Sequence, residues 1–127
     1  TFLALFLLLA PFPVSGAPMN AEEFDRYTQG RTLFYGQGGD LYGVERYLPG
    51  RRVIWSFLDG RCKEGRWYEE AGEICFVYED EPRPQCWSFS TGPSGLIAEF
   101  SDGSGAALYE AEDIGEKMVC IGPDTGV

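Results

Sequence analysis

The stretch from residue 73 to residue 90 reads EICFVYEDEPRPQCWSFS. Apolar side chains fall on alternate positions before its polar turn, at Ile74, Phe76 and Tyr78, and again after it, at Trp87 and Phe89. Alternation with a period of two residues on both sides of a proline-containing turn predicts two antiparallel strands joined as a hairpin. The rest of the chain repeats this pattern of alternating strands and turns.

The two cysteines in this stretch indicate the register of the hairpin. If its centre lies between residues 80 and 81, opposed residues have numbers that sum to about 161. Cys75 then faces Cys86, and Ile74 faces Trp87 on the other side of the strands. Since one alignment satisfies both pairs, we predict a Cys75–Cys86 disulfide.

The chain contains four cysteines and no histidine. An even number of cysteines in an exported chain favours disulfides, and a zinc site would need close Cys-x-x-Cys pairs or histidines that are absent here. The second predicted bridge is therefore Cys62–Cys120. In the chain-entropy model, closing a loop of about 58 residues stabilises the fold by roughly 4 kcal/mol.

Outward from this hairpin, aromatic and β-branched runs alternate with glycine and proline turns about every ten residues. Asp59-Gly60 predicts a type I′ hairpin turn, and Pro49-Gly50 predicts a type II turn. Strands are predicted near 31–36, 41–48, 51–58, 62–70, 73–79, 85–90, 95–101 and 106–111, with a short ninth near 117–121. The predicted fold is all-β: a small up-and-down barrel or a strongly curled antiparallel meander of about eight strands.

The first part of the chain predicts two other elements. Residues 2–10 form an uncharged apolar run that is followed by prolines and small residues, which is typical of a secretory signal spanning residues 1–17. Cleavage after Gly16 or Ala17 leaves one β-rich domain over 18–127 in the periplasm or the medium. Membrane contact is expected only if residues 1–17 are retained. Asn20 and Glu23 can form a capping box, which predicts a short helix over about 21–28.

The charge distribution restricts the possible partners. Residues 18–66 carry eight basic and seven acidic side chains, whereas residues 67–127 carry two basic and thirteen acidic ones, within a net charge of −10. Nucleic acid is not expected as a partner, because phosphate binding needs a basic surface. The acidic half leaves open an accessory subunit or inhibitor that binds a basic protein.

Few residues in the chain offer catalytic chemistry. Without histidine the usual catalytic triads are absent, and paired cysteines leave no thiol nucleophile. A hydrolase based on two carboxylates is the less favoured alternative. Three adjacent acids at residues 79–81 could collect a hard cation such as Ca²⁺, but a solvated loop tip is the favoured interpretation. We therefore expect a non-enzyme without metal or cofactor.

Aromatic residues are unusually frequent, with sixteen Phe, Tyr and Trp after residue 17. Most should form the core, but a barrel of about eight strands can also hold one small ligand. The residues predicted to line such a site are Trp55, Trp67, Trp87 and Tyr78. The leading hypothesis is a non-enzymatic exported module that binds a small apolar ligand or an envelope protein.

Two motifs suggest resemblances. Gly65-Arg66-Trp67 resembles the Gly-x-Trp of lipocalin-type barrels, where that motif marks the first strand, whereas here it lies in the middle of the chain. The stretch from Gly30 to Phe89, with Gly-Arg-Thr-Leu, Tyr-Leu-Pro-Gly-Arg-Arg-Val, Gly-Arg-Trp-Tyr, Ile-Cys-Phe-Val-Tyr and Gln-Cys-Trp, resembles small secreted alphaproteobacterial proteins of unknown function. That resemblance implies a periplasmic or secreted location and assigns no site residues.

Overall fold

The computed structural model describes residue 2, residues 17–112 and residues 117–121. The prediction of a signal over 1–17 thus falls almost entirely outside the described residues. The described part of the chain forms one α-helix and eight strands. They are α1 (Ala21–Thr28), β1 (Thr32–Gln37), β2 (Asp40–Leu48), β3 (Arg52–Ser56), β4 (Cys62–Glu70), β5 (Glu73–Tyr78), β6 (Glu81–Gly92), β7 (Gly95–Phe100) and β8 (Leu108–Glu110).

The eight strands close into an antiparallel barrel in which each strand pairs with the next one in sequence. β8 returns to pair with β1, where Tyr35 faces Glu110 and Gly36 faces Tyr109. Closure satisfies the backbone groups that an open sheet would leave unpaired at its edges. The predicted all-β barrel with a short N-terminal helix is confirmed.

The β5–β6 hairpin has the predicted register. Cys75 faces Cys86 and Ile74 faces Trp87, and the pairing shifts only nearer the turn, where Tyr78 faces Glu81. Both predicted disulfides, Cys75–Cys86 and Cys62–Cys120, are present. The second one fixes the segment 117–121 to the start of β4.

Two local predictions are wrong. A five-residue loop, not a two-residue type I′ turn, joins β3 to β4, because Ser56 faces Cys62. Positive φ occurs at Leu58 and Gly60 but not at Asp59, whose Oδ1 instead accepts a hydrogen bond from Arg61 N at 2.9 Å. Residues 117–121 do not form a ninth strand. The Cys62–Cys120 disulfide and one backbone hydrogen bond, from Ile121 N to Gly60 O, hold this segment instead of a ladder.

The structure also gives details of the start of β8 and of the β2–β3 turn that the prediction lacked. β8 begins at Leu108, two residues later than predicted, because residues 106–107 belong to the preceding loop. At the β2–β3 turn, Gly50 has the positive φ that a type II turn needs in its third position, and Arg51 adds a second positive φ in a short 3-10 turn.

Helix α1 covers one end of the barrel. The predicted capping box is present: Glu23 N donates to Asn20 Oδ1 and Asn20 N donates to Glu23 Oε1. Phe24 is fully buried and makes ring contacts with Tyr47, Trp67, Phe76 and Phe89, all of which point into the barrel. Since Phe24 fills this end, any opening into the interior must lie at the other end.

A second apolar cluster covers the outer face of β1 and β2. Phe34 and Val44 are buried there beneath Met118 and Cys120 of the C-terminal segment. The outer face of β2 is therefore apolar at Val44, so this strand carries apolar side chains on both faces.

Candidate functional site

A cavity of about 60 Å³ lies inside the barrel on the side away from α1. Its lining comes from all eight strands and from the loop after β3, and aromatic rings dominate it. The lining residues are Tyr35, Tyr42, Glu45, Tyr47, Trp55, Phe57, Lys63, Phe76, Tyr78, Gln85, Trp87, Phe89, Ala98 and Leu108. An apolar cavity of about 150 Å³ holds benzene, so this one admits only a narrower group.

A wider depression of about 420 Å³ adjoins the cavity at the barrel mouth. The two share Trp55, Phe57 and Lys63, which places these side chains at the connection between them. Phe57 is 47% exposed, an unusual degree for a large apolar ring next to an interior cavity. The remaining walls of the depression are the charged residues Asp59, Arg61, Glu79 and Asp80 and the disulfide-bonded Cys62.

Two glycines make room for the aromatic walls. A Cβ on Gly43 would overlap the indole ring of Trp55, and a Cβ on Gly65 would lie 2.7 Å from the ring of Tyr78. The glycine of the Gly65-Arg66-Trp67 motif therefore serves the neighbouring strand, where it lets the Tyr78 ring lie against the β4 backbone. Tyr78 in turn stacks on Phe76, with ring centroids 6.2 Å apart and planes within 7°.

Glu45 is the one carboxylate in the cavity lining, and it is 1% exposed. Its Oε1 accepts a hydrogen bond from the Tyr78 hydroxyl at 2.7 Å, while Oε2 has no hydrogen-bond partner in the described structure. Burial raises the pKa of Glu45 from its ordinary 4.5 to about 8, against a smaller lowering effect of the Tyr78 hydrogen bond. The group is therefore mainly a neutral acid at pH 7, with one oxygen unsatisfied.

Two tyrosine hydroxyls add to the polar part of the lining, which also includes Gln85 and Lys63. Tyr35 and Tyr47 share a hydrogen bond of 2.7 Å between their hydroxyl oxygens, and both side chains are buried. Desolvation raises the pKa of Tyr35 and of Tyr47 above the ordinary value, so both stay neutral throughout the physiological range. The cavity thus combines aromatic surface and neutral hydroxyls with one titratable carboxyl, the Gln85 amide and the Lys63 side chain.

Of the four predicted ligand-binding residues, Trp55, Trp87 and Tyr78 line the cavity. Trp67 does not line it. Its ring packs edge-on against Phe24 at 5.0 Å near the closed end, and the guanidinium of Arg51 lies 4.7 Å from its centroid. Trp67 is thus a core residue under the helix, because its position on β4 is two residues nearer α1 than Gly65.

The sequence-based prediction missed Glu45. It lies two residues before Tyr47 on β2, so strand periodicity places the two side chains on the same inward face. Val44 obscured this alternation in the sequence. It is an apolar residue that points outward, and it is buried there under the C-terminal segment.

The three acids at residues 79–81 diverge instead of converging. Asp80 pairs with Lys63 at 3.0 Å and Glu81 with Arg83 at 3.1 Å, while Glu79 Oε1 accepts from the backbone of Glu64. No group of three or more His, Cys, Asp or Glu side chains in the described ranges is arranged to hold a metal ion. Within the same residues, no helix has the length and apolarity needed to cross a membrane.

Comparison with known proteins adds nothing to this geometry: no protein-family model, curated protein or solved structure matches the chain significantly.

Proposed function

We propose that this chain is a non-enzymatic exported binding module that takes the narrow end of a small apolar ligand into the mouth of its barrel. The observation that carries the proposal is an aromatic cavity that opens at one end of the barrel while α1 seals the other. Apolar, largely preformed cavities with a few polar groups are the usual form of small-ligand sites. The exposed ring of Phe57 extends the apolar surface from the cavity to the outside.

Size restricts what can enter. The cavity of about 60 Å³ accepts a linear chain but not a ring system, so the rest of the ligand lies in the wider depression at the mouth. Such a chain can belong to a small molecule or to a side chain of an envelope protein. The two disulfides and the signal-like apolar run support a periplasmic or secreted location.

The cavity lining also bears on the hydrolase alternative. Hydrolysis by paired carboxylates needs two acids around one substrate bond. Glu45 is alone among the cavity-lining residues, and the acids of the depression, Asp59, Glu79 and Asp80, lie outside the enclosed part. Binding is therefore the function that the site supports best.

The proposal is tested with linear alcohols from 1-butanol to 1-octanol, followed by tryptophan fluorescence. Because Trp55 and Trp87 line the cavity, we expect a saturable change in emission with at least one chain length. Ala98→Val adds two methyl groups to the cavity wall and should weaken the affinity about tenfold or more. Ala106→Val adds the same groups on an exposed loop and should leave the affinity unchanged. Emission that no alcohol changes in a saturable way would refute the proposal.

A further inference from the structure

We propose that the group bound in the cavity is a primary alkylammonium, with its ammonium on Glu45 and its alkyl stem running along the rings of Trp55 and Phe57 to the mouth. This inference rests on the proposed binding function and specifies a ligand with an apolar stem whose narrow end is positively charged. Glu45 Oε2 is a polar atom that is fully buried and has no hydrogen-bond partner in the described structure. Leaving such an atom unpaired is costly, so its presence in a ligand-sized space indicates a missing hydrogen-bond partner.

No charged side chain in the described structure supplies that partner. Lys63 lines the same cavity, but its Nζ lies 3.0 Å from Asp80 Oδ2 and 5.4 Å from the centre of the Phe57 ring. Glu110 also points inward, but at the closed end, where it accepts from the Tyr27 hydroxyl and pairs with Arg31. The other titratable groups that line the cavity with Glu45 are Tyr35, Tyr42, Tyr47, Tyr78 and Lys63.

The lining suits an ammonium in four respects. The carboxylate of Glu45 neutralises its charge, and aromatic faces such as that of Trp55 attract cations. Hydroxyl oxygens of the Tyr35–Tyr47 pair border the same space and can accept the remaining N–H donors. The small volume selects a slim –CH₂–NH₃⁺ end and excludes a bulky quaternary ammonium.

Binding of this cation is coupled to a proton. With the pKa of Glu45 at about 8 in the empty site, the carboxyl is protonated at pH 7 and must ionise when the ammonium enters. We therefore expect release of ~0.9 proton per ligand at pH 7. Between pH 6 and pH 9 the affinity should rise nearly a hundredfold, because the ionised fraction of the free site rises from about 1% to about 90% while the alkylammonium stays charged.

The test compares n-pentylammonium with 1-pentanol, a neutral ligand of the same length, by calorimetry on the oxidised protein at pH 9. We expect the ammonium to bind at least about tenfold more tightly than the alcohol. Glu45→Gln keeps the shape of the side chain and should reduce that ratio to about one while 1-pentanol still binds, which shows that the cavity is intact. Glu99→Gln removes an exposed carboxylate from β7 and should preserve the ratio.

The outcomes separate this inference from the proposed function. If 1-pentanol binds saturably and n-pentylammonium binds no better, the inference is wrong and the binding function stands. If neither ligand binds, both are wrong. Tighter binding of tetramethylammonium than of n-pentylammonium would also overturn the inference. A blocked lysine, Nα-acetyl-lysine methylamide, distinguishes a protein side chain from a free amine: tighter binding than n-pentylammonium indicates a lysine-bearing partner, and weaker binding indicates a small amine.

Discussion

Replacing Glu45 by glutamine should make the stability of this protein much less dependent on pH. The carboxyl is fully buried, and its pKa rises on folding from the ordinary 4.5 to about 8. Between these two pH values the folded state keeps a proton that the unfolded state has released. By linkage, stability therefore falls as pH rises through this window, and the loss is complete above pH 8.

The magnitude follows from the size of the pKa shift. One pKa unit corresponds to about 1.4 kcal/mol, so the full shift of Glu45 destabilises the folded state by about 5 kcal/mol at high pH. The same relation gives a cost of about 1 kcal/mol at pH 5 and about 3 kcal/mol at pH 7. Glutamine carries no such charge. Its amide leaves donors unsatisfied in the cavity, but that cost is the same at every pH.

The assay is urea unfolding of wild type and Glu45→Gln at pH 5, 7 and 8.5, with both disulfides intact. The free energy of unfolding of the variant minus that of wild type should rise by roughly 4 kcal/mol from pH 5 to pH 8.5. Other titrating groups cancel in this difference, and Glu99→Gln, which removes an exposed carboxylate, should give a nearly flat difference. A flat difference for Glu45→Gln as well would refute the reasoning, because Glu45 would then titrate alike in the folded and unfolded states.

Two further predictions concern the stability of the barrel around the cavity. Phe24→Ala should lower the free energy of unfolding by about 3–5 kcal/mol, because Phe24 is fully buried among four rings. Phe57→Ala, at the exposed mouth, should lower it much less. Urea unfolding measures both losses. Replacing both cysteines of the Cys62–Cys120 bridge by serine should cost about 4 kcal/mol, against about 3 kcal/mol for the shorter Cys75–Cys86 loop. An equal or reversed order of these two losses in urea unfolding would contradict the loop-length argument.

The barrel could be predicted from the sequence because its signals are local and repeated. Alternating apolar residues such as Ile74 and Phe76, together with regular turns, define antiparallel neighbours one hairpin at a time. The cysteine pairs then followed from one register. The loop after β3 could not be predicted in the same way, because Asp59-Gly60 fits a two-residue turn, and only the pairing of Ser56 with Cys62 shows that the loop is longer.

The site was only partly predictable. Trp55 and Trp87 were expected to line a cavity, and they do. Trp67 was expected there for the same reason, as a tryptophan on a predicted strand, but Phe24 of the helix packs against it. Strand periodicity does not show which end of the barrel the helix closes, because that depends on tertiary packing. Glu45 was missed because burial of a carboxylate runs against its usual preference for solvent.

The most direct test of this account is a ¹³C NMR titration of the Glu45 side-chain carboxyl, assigned by its absence from the Glu45→Gln spectrum. The account predicts a pKa of about 8 in the free protein and a much lower pKa with saturating n-pentylammonium. A carboxyl that titrates near 4.5 and does not respond to the amine would contradict it, because the cavity would then hold neither a neutral acid nor a site for a cation.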